Sequence, residues 1–256
     1  MDTRLPPPPP PARHWAWLLD IDGTLIDIAP TPSAIDMPVA VPQLLQALSD
    51  CHGGAVALVS GRALENIRAL VAPFDPPAAG LHGLERRSAD GTVTVPPPFP
   101  ALADIRRRLA PAQDWPGVLV EDKGLALAVH YRLAPEREGA CRLLVEGIVA
   151  DHPDFAVLAG KMVLEVKPAG WDKGGAVRAF MAEAPFAGRM PVFVGDDVTD
   201  EAGFEAANAL GGLSVLVGDW RPTAAGHYLP DIESCRRWLA EAAGSRWSPH
   251  AGAGGD

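Results

Sequence analysis

The sequence predicts an α/β fold: a doubly wound parallel core interrupted by an inserted α+β domain. Three observations carry that reading. Strand-length apolar runs at 15–20, 55–60, 191–195 and 213–217 alternate with helical stretches at 42–51, 63–72, 173–183 and 200–210. That order builds a parallel sheet covered on both faces. The middle of the chain changes rhythm, and carboxylates collect where the first and third apolar runs end.

Taken in order, the run Val56-Ala57-Leu58-Val59 shows no polar alternation, as a strand buried on both sides requires. After Glu85, strands are expected at 92–95, 118–121, 126–131, 155–159 and 162–167, with helices at 99–109 and 135–151. A hairpin turn is expected at Gly124, since glycine enters turn conformations without steric cost. This arrangement reads as an antiparallel sheet with two helices. The expected domains are a core of 13–83 and 169–247, an insert of 84–168, and disordered tails at 1–12 and 248–256. Pro6 to Pro11 form an unbroken proline run, expected as a solvated polyproline II stub. A ligand for an SH3-like partner is the alternative use of such a run.

Composition narrows the function. With 48% hydrophobic and 21% charged residues, the chain has the material for a large core. A net charge of −10 gives no basic field, so nucleic acid is excluded as a partner. An anionic small substrate remains compatible, because a bound metal inverts the local sign. Cys51, Cys141 and Cys235 lie far apart with no C-x-x-C pair. The expectation is a reducing, cytoplasmic setting without disulfides or zinc. No apolar run is long enough for a membrane span, and no signal-peptide apolar region is expected. The expected state is a monomer.

Four elements carry chemistry. The first strand ends in Asp20-Ile21-Asp22-Gly23-Thr24-Leu25. Ligands gather at the carboxyl ends of parallel strands. Two adjacent carboxylates there call for a hard cation or a shared proton, although a plain Asp-Gly turn also fits. The second element is Gly195-Asp196-Asp197-Val198-Thr199-Asp200-Glu201. Asp200 and Glu201 alone would suit a helix N-terminus, which leaves Asp196 and Asp197 unexplained. The third is Ser60-Gly61-Arg62, a strand-end serine that serves either as a helix N-cap or as an anion ligand. The fourth is Asp172-Lys173-Gly174-Gly175, where Lys173 is either a surface lysine or a partner for phosphate.

Together, and in this order, the four elements resemble the motifs of the haloacid dehalogenase (HAD) superfamily of phosphohydrolases. Further stretches resemble the trehalose-6-phosphate phosphatase family within it: Ala29-Pro30, Gly80 to Arg87, Glu121-Asp122-Lys123-Gly124, His130-Tyr131-Arg132, Gly160-Lys161, and Leu164 to Pro168. The resemblance implies a HAD-type, Rossmann-like core with an α/β cap inserted between the serine and lysine motifs. It implies Mg²⁺ as cofactor, a sugar phosphate as substrate, and hydrolysis of trehalose 6-phosphate through an aspartyl-phosphate.

The resemblance assigns Asp20 as nucleophile. The Asp20 carboxylate, the Asp22 backbone carbonyl and Asp196 become metal ligands, with Asp197 and Asp200 behind them holding waters or Lys173. Ser60 and Lys173 stabilise the phosphoryl oxygens. Asp22 becomes the general acid and then base, oriented by Thr24. An unperturbed aspartate is protonated in only about one molecule in a thousand at pH 7, so burial or nearby anions must favour its neutral form. By resemblance, substrate binding falls to Glu121, Lys123, Lys161, Glu165 and Arg132, on a sheet whose charges could also be a solvated face. His82 and His130 are expected as structural histidines, Trp171 as core, and Arg106-Arg107-Arg108 as a solvated helix face. The hinges are expected near Gly83–Glu85 and Lys167–Gly170. The alternatives are a capped phosphatase for another sugar phosphate, a phosphomutase, and a non-catalytic sugar-phosphate sensor on the same fold.

Overall fold

The computed structural model describes residues 5–28 and 37–247. They fall into two compact units, one from the two ends of the chain and one from 95–171. In chain order the first unit supplies β1 (Trp15–Leu19), α1 (Ala40–Cys51), β2 (Val56–Val59), α2 (Leu64–Val71), β3 (Ala78–Gly80), β4 (Glu85–Arg87) and β5 (Val93–Thr94). The second unit holds α3 (Ala101–Leu109), β6 (Leu119–Asp122), β7 (Leu127–His130), α4 (Glu138–Val149), β8 (Phe155–Gly160) and β9 (Val163–Pro168). The chain then returns to the first unit with α5 (Lys173–Met181), β10 (Met190–Gly195), α6 (Glu201–Ala209), β11 (Leu213–Val217), β12 (His227–Leu229) and α7 (Ile232–Ala242).

The first unit is one eight-stranded sheet in the order β12-β11-β10-β1-β2-β3-β4-β5. It is parallel from β12 to β3, and β4 and β5 add an antiparallel edge. Strand alternation divides its core in two. Trp15, Trp17, Leu19, Val56, Leu58, Val192 and Val194 point to the face covered by α1, α2 and α7. Ala16, Leu18, Ala57, Val59 and Phe193 point to the face covered by α5 and α6. From β1 the chain winds outward through β2 and β3 on one side, and later through β10 to β12 on the other. The strand order therefore reverses between β1 and β10, where a doubly wound sheet opens its ligand crevice.

Three expectations are corrected here. The proline run is not a free stub. Pro6 O accepts from Tyr228 N at 3.0 Å, and Pro9 O accepts from Trp238 Nε1 at 3.1 Å. Leu5 and Ala12 pack against the two halves of the core. Pro6 thus satisfies an outward N–H of the edge strand β12 while offering no N–H of its own. The insert begins at Val95 rather than at residue 84, because β4 and β5 pair into the core sheet. The chain passes between units at 94–95 and 171–172. Gly83 therefore sits inside the first unit and not at a crossing. Trp171 is more than one-third exposed rather than core. The stretch Ala29-Pro30, residues 1–4 and the tail 248–256 lie outside the described residues.

The second unit is a four-stranded antiparallel sheet ordered β6-β7-β9-β8, with α3 and α4 on one face. Leu127, Val129, Leu164 and Val166 face those helices. Alternation sends Glu121, Ala128, His130 and Glu165 to the opposite face. The Arg106–Arg108 run lies on α3 and pairs with Asp122, Asp104 and Asp151 at the surface. All three cysteines are free thiols. Burial pushes the Cys235 thiol up to about 12, which leaves it unreactive at neutral pH. Among the described residues no helix is long and apolar enough to cross a membrane.

Candidate active site

The carboxyl ends of β1 and β10 bring the acidic motifs together. Asp20, Asp196 and Asp200 are all buried, and one carboxylate oxygen from each lies within 4.8 Å of the others. Lys173, at the first turn of α5, reaches into this cluster. Its ammonium donates to Asp20 Oδ1 and to Asp200 Oδ1, each at 2.7 Å. Asp172 caps α5 by accepting from Gly175 N at 2.7 Å, which fixes where Lys173 leaves the helix.

Burial penalises charge at these groups. It pushes the Asp20 carboxyl well above the ordinary carboxylate range; Lys173 opposes that shift, and the charges of Asp200 and Asp196 add to it. Burial would lower the Lys173 ammonium, but the charges and hydrogen bonds of Asp20 and Asp200 outweigh it and hold the group above its ordinary value. Three carboxylates against one ammonium leave a formal excess of two negative charges among these groups. That excess equals the charge of one divalent cation.

The donor set fits such an ion. Each side chain of this cluster that could hold an ion offers a carboxylate oxygen, the preference of Mg²⁺ rather than of softer metals. The backbone makes room as well. Gly23 adopts φ +85, and a Cβ there would collide with the Asp196 carboxylate, so only glycine lets β1's exit turn approach it. Asp200 is not free to wander. Its Oδ2 accepts from the backbone N–H groups of Asp196 and Asp197, each at 3.0 Å. Asp197 instead caps its own turn, accepting from Val198 N at 2.8 Å.

Around this cluster the structure corrects several roles. Thr24 donates to Asp20 Oδ2 at 3.2 Å, not to Asp22. The Asp22 carboxylate is held by Arg62, whose Nε and Nη2 both donate to it at 2.7 Å. Where burial or anions were expected beside Asp22, the structure places the Arg62 guanidinium. Arg62 was missed because it stands 40 residues from Asp22; the adjacent Ser60-Gly61 was the signal that could have found it. Ser60 is buried, and its Oγ accepts from Arg62 N at 3.2 Å. It is not the N-cap of α2. That first N–H, of Leu64, goes to Glu85 Oε2 at 2.8 Å. The buried His82, with φ +56, completes the brace by donating its N–H to Ser60 O at 3.0 Å.

In the second unit, β6, β7 and β9 place Glu121 and Glu165 on either side of Ala128. Lys123 Nζ donates to Glu165 Oε1 at 2.6 Å, and both side chains are largely buried. His130 Nε2 meets Glu121 Oε2 at 2.8 Å. Burial works to raise the Glu121 carboxyl, but the His130 hydrogen bond and the Lys123 charge outweigh it and hold the group below its ordinary range. Arg132 donates to the backbone carbonyl of Lys161 at 2.8 Å, tying the two loops together. Glu121, Glu165 and Lys123 therefore gather on the sheet face opposite α3 and α4, with His130 as a partner of Glu121, while Arg132 and Lys161 lie in the loops beyond β7 and β8.

The doubly wound sheet with an inserted α/β unit is the fold of a Bacteroides thetaiotaomicron phosphatase of the haloalkanoate (HAD) enzyme superfamily, matched with a TM-score of 0.59, at 18% identity, over 89% of this chain and 94% of that one. Residues 18–231 match the trehalose-phosphatase family, and the chain belongs to that family. It is 46% identical over 230 residues to a probable trehalose-phosphate phosphatase of Sinorhizobium fredii, covering 89% of this chain and 87% of that one. It is 44% identical over 233 residues to trehalose-6-phosphate phosphatase of Escherichia coli, covering 88% and 85%. Its fold matches the C-terminal domain of the C. albicans trehalose-6-phosphate phosphatase with a TM-score of 0.84, at 21% identity, over 96% of this chain and all of that domain.

Proposed function

We propose that this chain is a Mg²⁺-dependent phosphatase that hydrolyses trehalose 6-phosphate to trehalose and phosphate through an aspartyl-phosphate on Asp20. It acts as a monomer in the cytoplasm. The observation that carries the chemistry is the buried Asp20 carboxylate, held between Lys173 and Thr24 at the strand-order reversal.

Asp20 attacks phosphorus, and the bond from phosphorus to the sugar oxygen breaks. Asp22 gives that oxygen its proton. Water then attacks the aspartyl-phosphate, Asp22 takes the water's proton, and phosphate leaves. Lys173 and the Ser60 hydroxyl stabilise the phosphoryl oxygens as charge spreads over them. Asp20, Asp196 and the Asp22 backbone carbonyl are the proposed ligands of the cation, with Asp197 and Asp200 behind them. When bound, the cation screens repulsion between Asp20 and the anionic substrate. Arg62 aims Asp22. Arg62→Ala should lower kcat about a hundredfold, the scale of a general acid–base contribution, with KM little changed and Arg62→Lys recovering part. An unchanged pH–rate profile and kcat in Arg62→Ala would remove Arg62 from the account.

The sugar falls to Glu121, Lys123, Lys161, Glu165 and Arg132. Carboxylates and ammonium groups complement many hydroxyls, and Glu121 and Glu165 flank Ala128 on one sheet face with Lys123 paired to Glu165. The test is phosphate release from trehalose 6-phosphate, sucrose 6-phosphate, glucose 6-phosphate and a small generic ester, with Mg²⁺ and with chelator. The expected result is chelator-sensitive release that favours the trehalose ester. In Glu165→Ala, KM should rise about tenfold or more for that ester, the loss expected when a buried hydrogen-bonding partner is removed, while the generic ester is little affected. Equal rates on all esters, or equal losses in Glu165→Ala, would contradict the substrate assignment. Binding without turnover would favour a sensor.

A further inference from the structure

The loop that carries Asp196 and Asp197 is gripped from two directions, and only one grip belongs to the acidic motif. From inside, the Asp200 carboxylate takes the N–H groups of Asp196 and Asp197. From outside comes Arg221, in the segment after β11. Its Nη2 donates to the Asp197 carbonyl at 2.5 Å, and its Nη1 pairs with Glu201 at the start of α6. Glu201 fastens the same segment further, accepting from Thr223 Oγ1 at 2.8 Å and from Ala224 N at 2.7 Å. The Arg221 and Glu201 side chains are each about one-quarter exposed or less, at 19% and 27%, so their pairing is shielded from full solvent screening.

We infer that Arg221 is a positioning residue for the cation site. By holding the Asp197 carbonyl while anchored to Glu201, it fixes the peptide that follows Asp197, one residue beyond Asp196, and so sets the Asp196 carboxylate against Asp20. This rests on the divalent-cation reading above. Planarity matters: the guanidinium serves the carbonyl and the carboxylate from two nitrogens of one rigid fork, which a lysine ammonium cannot reproduce. Groups that orient metal ligands change metal affinity by about 10- to 100-fold when removed.

The test is Mn²⁺ binding to the substrate-free protein, followed by calorimetry and by the paramagnetic resonance signal of free Mn²⁺, in wild type, Arg221→Ala and Arg221→Lys. Arg221→Ala should bind about tenfold more weakly, with Arg221→Lys in between. In turnover assays the Mg²⁺ half-saturation should rise by the same factor, while kcat at saturating Mg²⁺ and KM for the sugar phosphate stay within about twofold of wild type. Equal Mn²⁺ affinity in wild type and folded Arg221→Ala would overturn the inference and leave the cation site intact. If Arg221→Ala does not fold, wild-type affinity in Arg221→Lys overturns it in the same way. Absence of Mn²⁺ binding in wild type would instead overturn the cation reading itself.

Discussion

Asp20→Asn should lose phosphate release by about 10⁴-fold or more, the scale seen when a covalent nucleophile is removed. The substitution is nearly isosteric. Its amide oxygen can still accept from Thr24 or Lys173, so the turn from β1 keeps its shape while the attacking charge is gone. The variant should also be more thermally stable than wild type in chelator. Burial and the neighbouring charges of Asp200 and Asp196 make the Asp20 anion costly in the folded protein. A group whose carboxyl is raised on folding destabilises the native state at pH values above its unfolded value, and a neutral amide removes that cost. Wild-type turnover in Asp20→Asn, measured on protein free of reversion to aspartate, would sink the nucleophile assignment.

Lys173→Met should have the second-largest effect, with the opposite sign on stability. Lys173 is only 2% exposed and its ammonium bridges Asp20 and Asp200. Methionine fills similar volume without charge and strands buried carboxylates. Breaking a buried ion pair from one side costs about 3–5 kcal/mol, so the unfolding midpoint in chelator should fall clearly. Mg²⁺ should recover part of that loss by binding the native state. It should not restore turnover, which is expected to be down by about 10²–10³ for loss of one charge-stabilising donor. Unchanged stability in chelator would show that the lysine is not what holds Asp20 and Asp200 together.

The core and its acidic ends were legible because they obey short-range rules. The runs at β1, β2, β10 and β11 announce themselves by apolar continuity, and Asp20, Ser60 and Asp196 stand at strand ends where the topology gathers them. Other elements were hidden by scale. β3 and β12 are three residues each, too short for periodicity to register. The helix α7 carried a signal that was passed over. Asp231 caps it through Ser234 N, and Cys235, Trp238 and Leu239 form its buried stripe, but Arg236 and Arg237 interrupt the apolar reading. Long-range pairings were hidden altogether. Ser60-Gly61 marks Arg62 as near the site without naming Asp22 as its partner, and nothing in Pro6–Pro11 says that its carbonyls meet Tyr228 and Trp238. Thr24 shows the reverse error, since proximity in sequence suggested Asp22 and the turn geometry delivers its hydroxyl to Asp20.

The central claim is covalent transfer to Asp20, and acid-quenched single turnover tests it most directly. Wild-type protein and Mg²⁺ are mixed with trehalose 6-phosphate carrying labelled phosphorus and quenched in acid at early times. The account predicts a transient protein-bound label that is sensitive to hydroxylamine, maps to the peptide containing Asp20, and is absent in Asp20→Asn. Label on any other residue, or phosphate appearing at full single-turnover rate with no protein-bound label at any quench time, would contradict it.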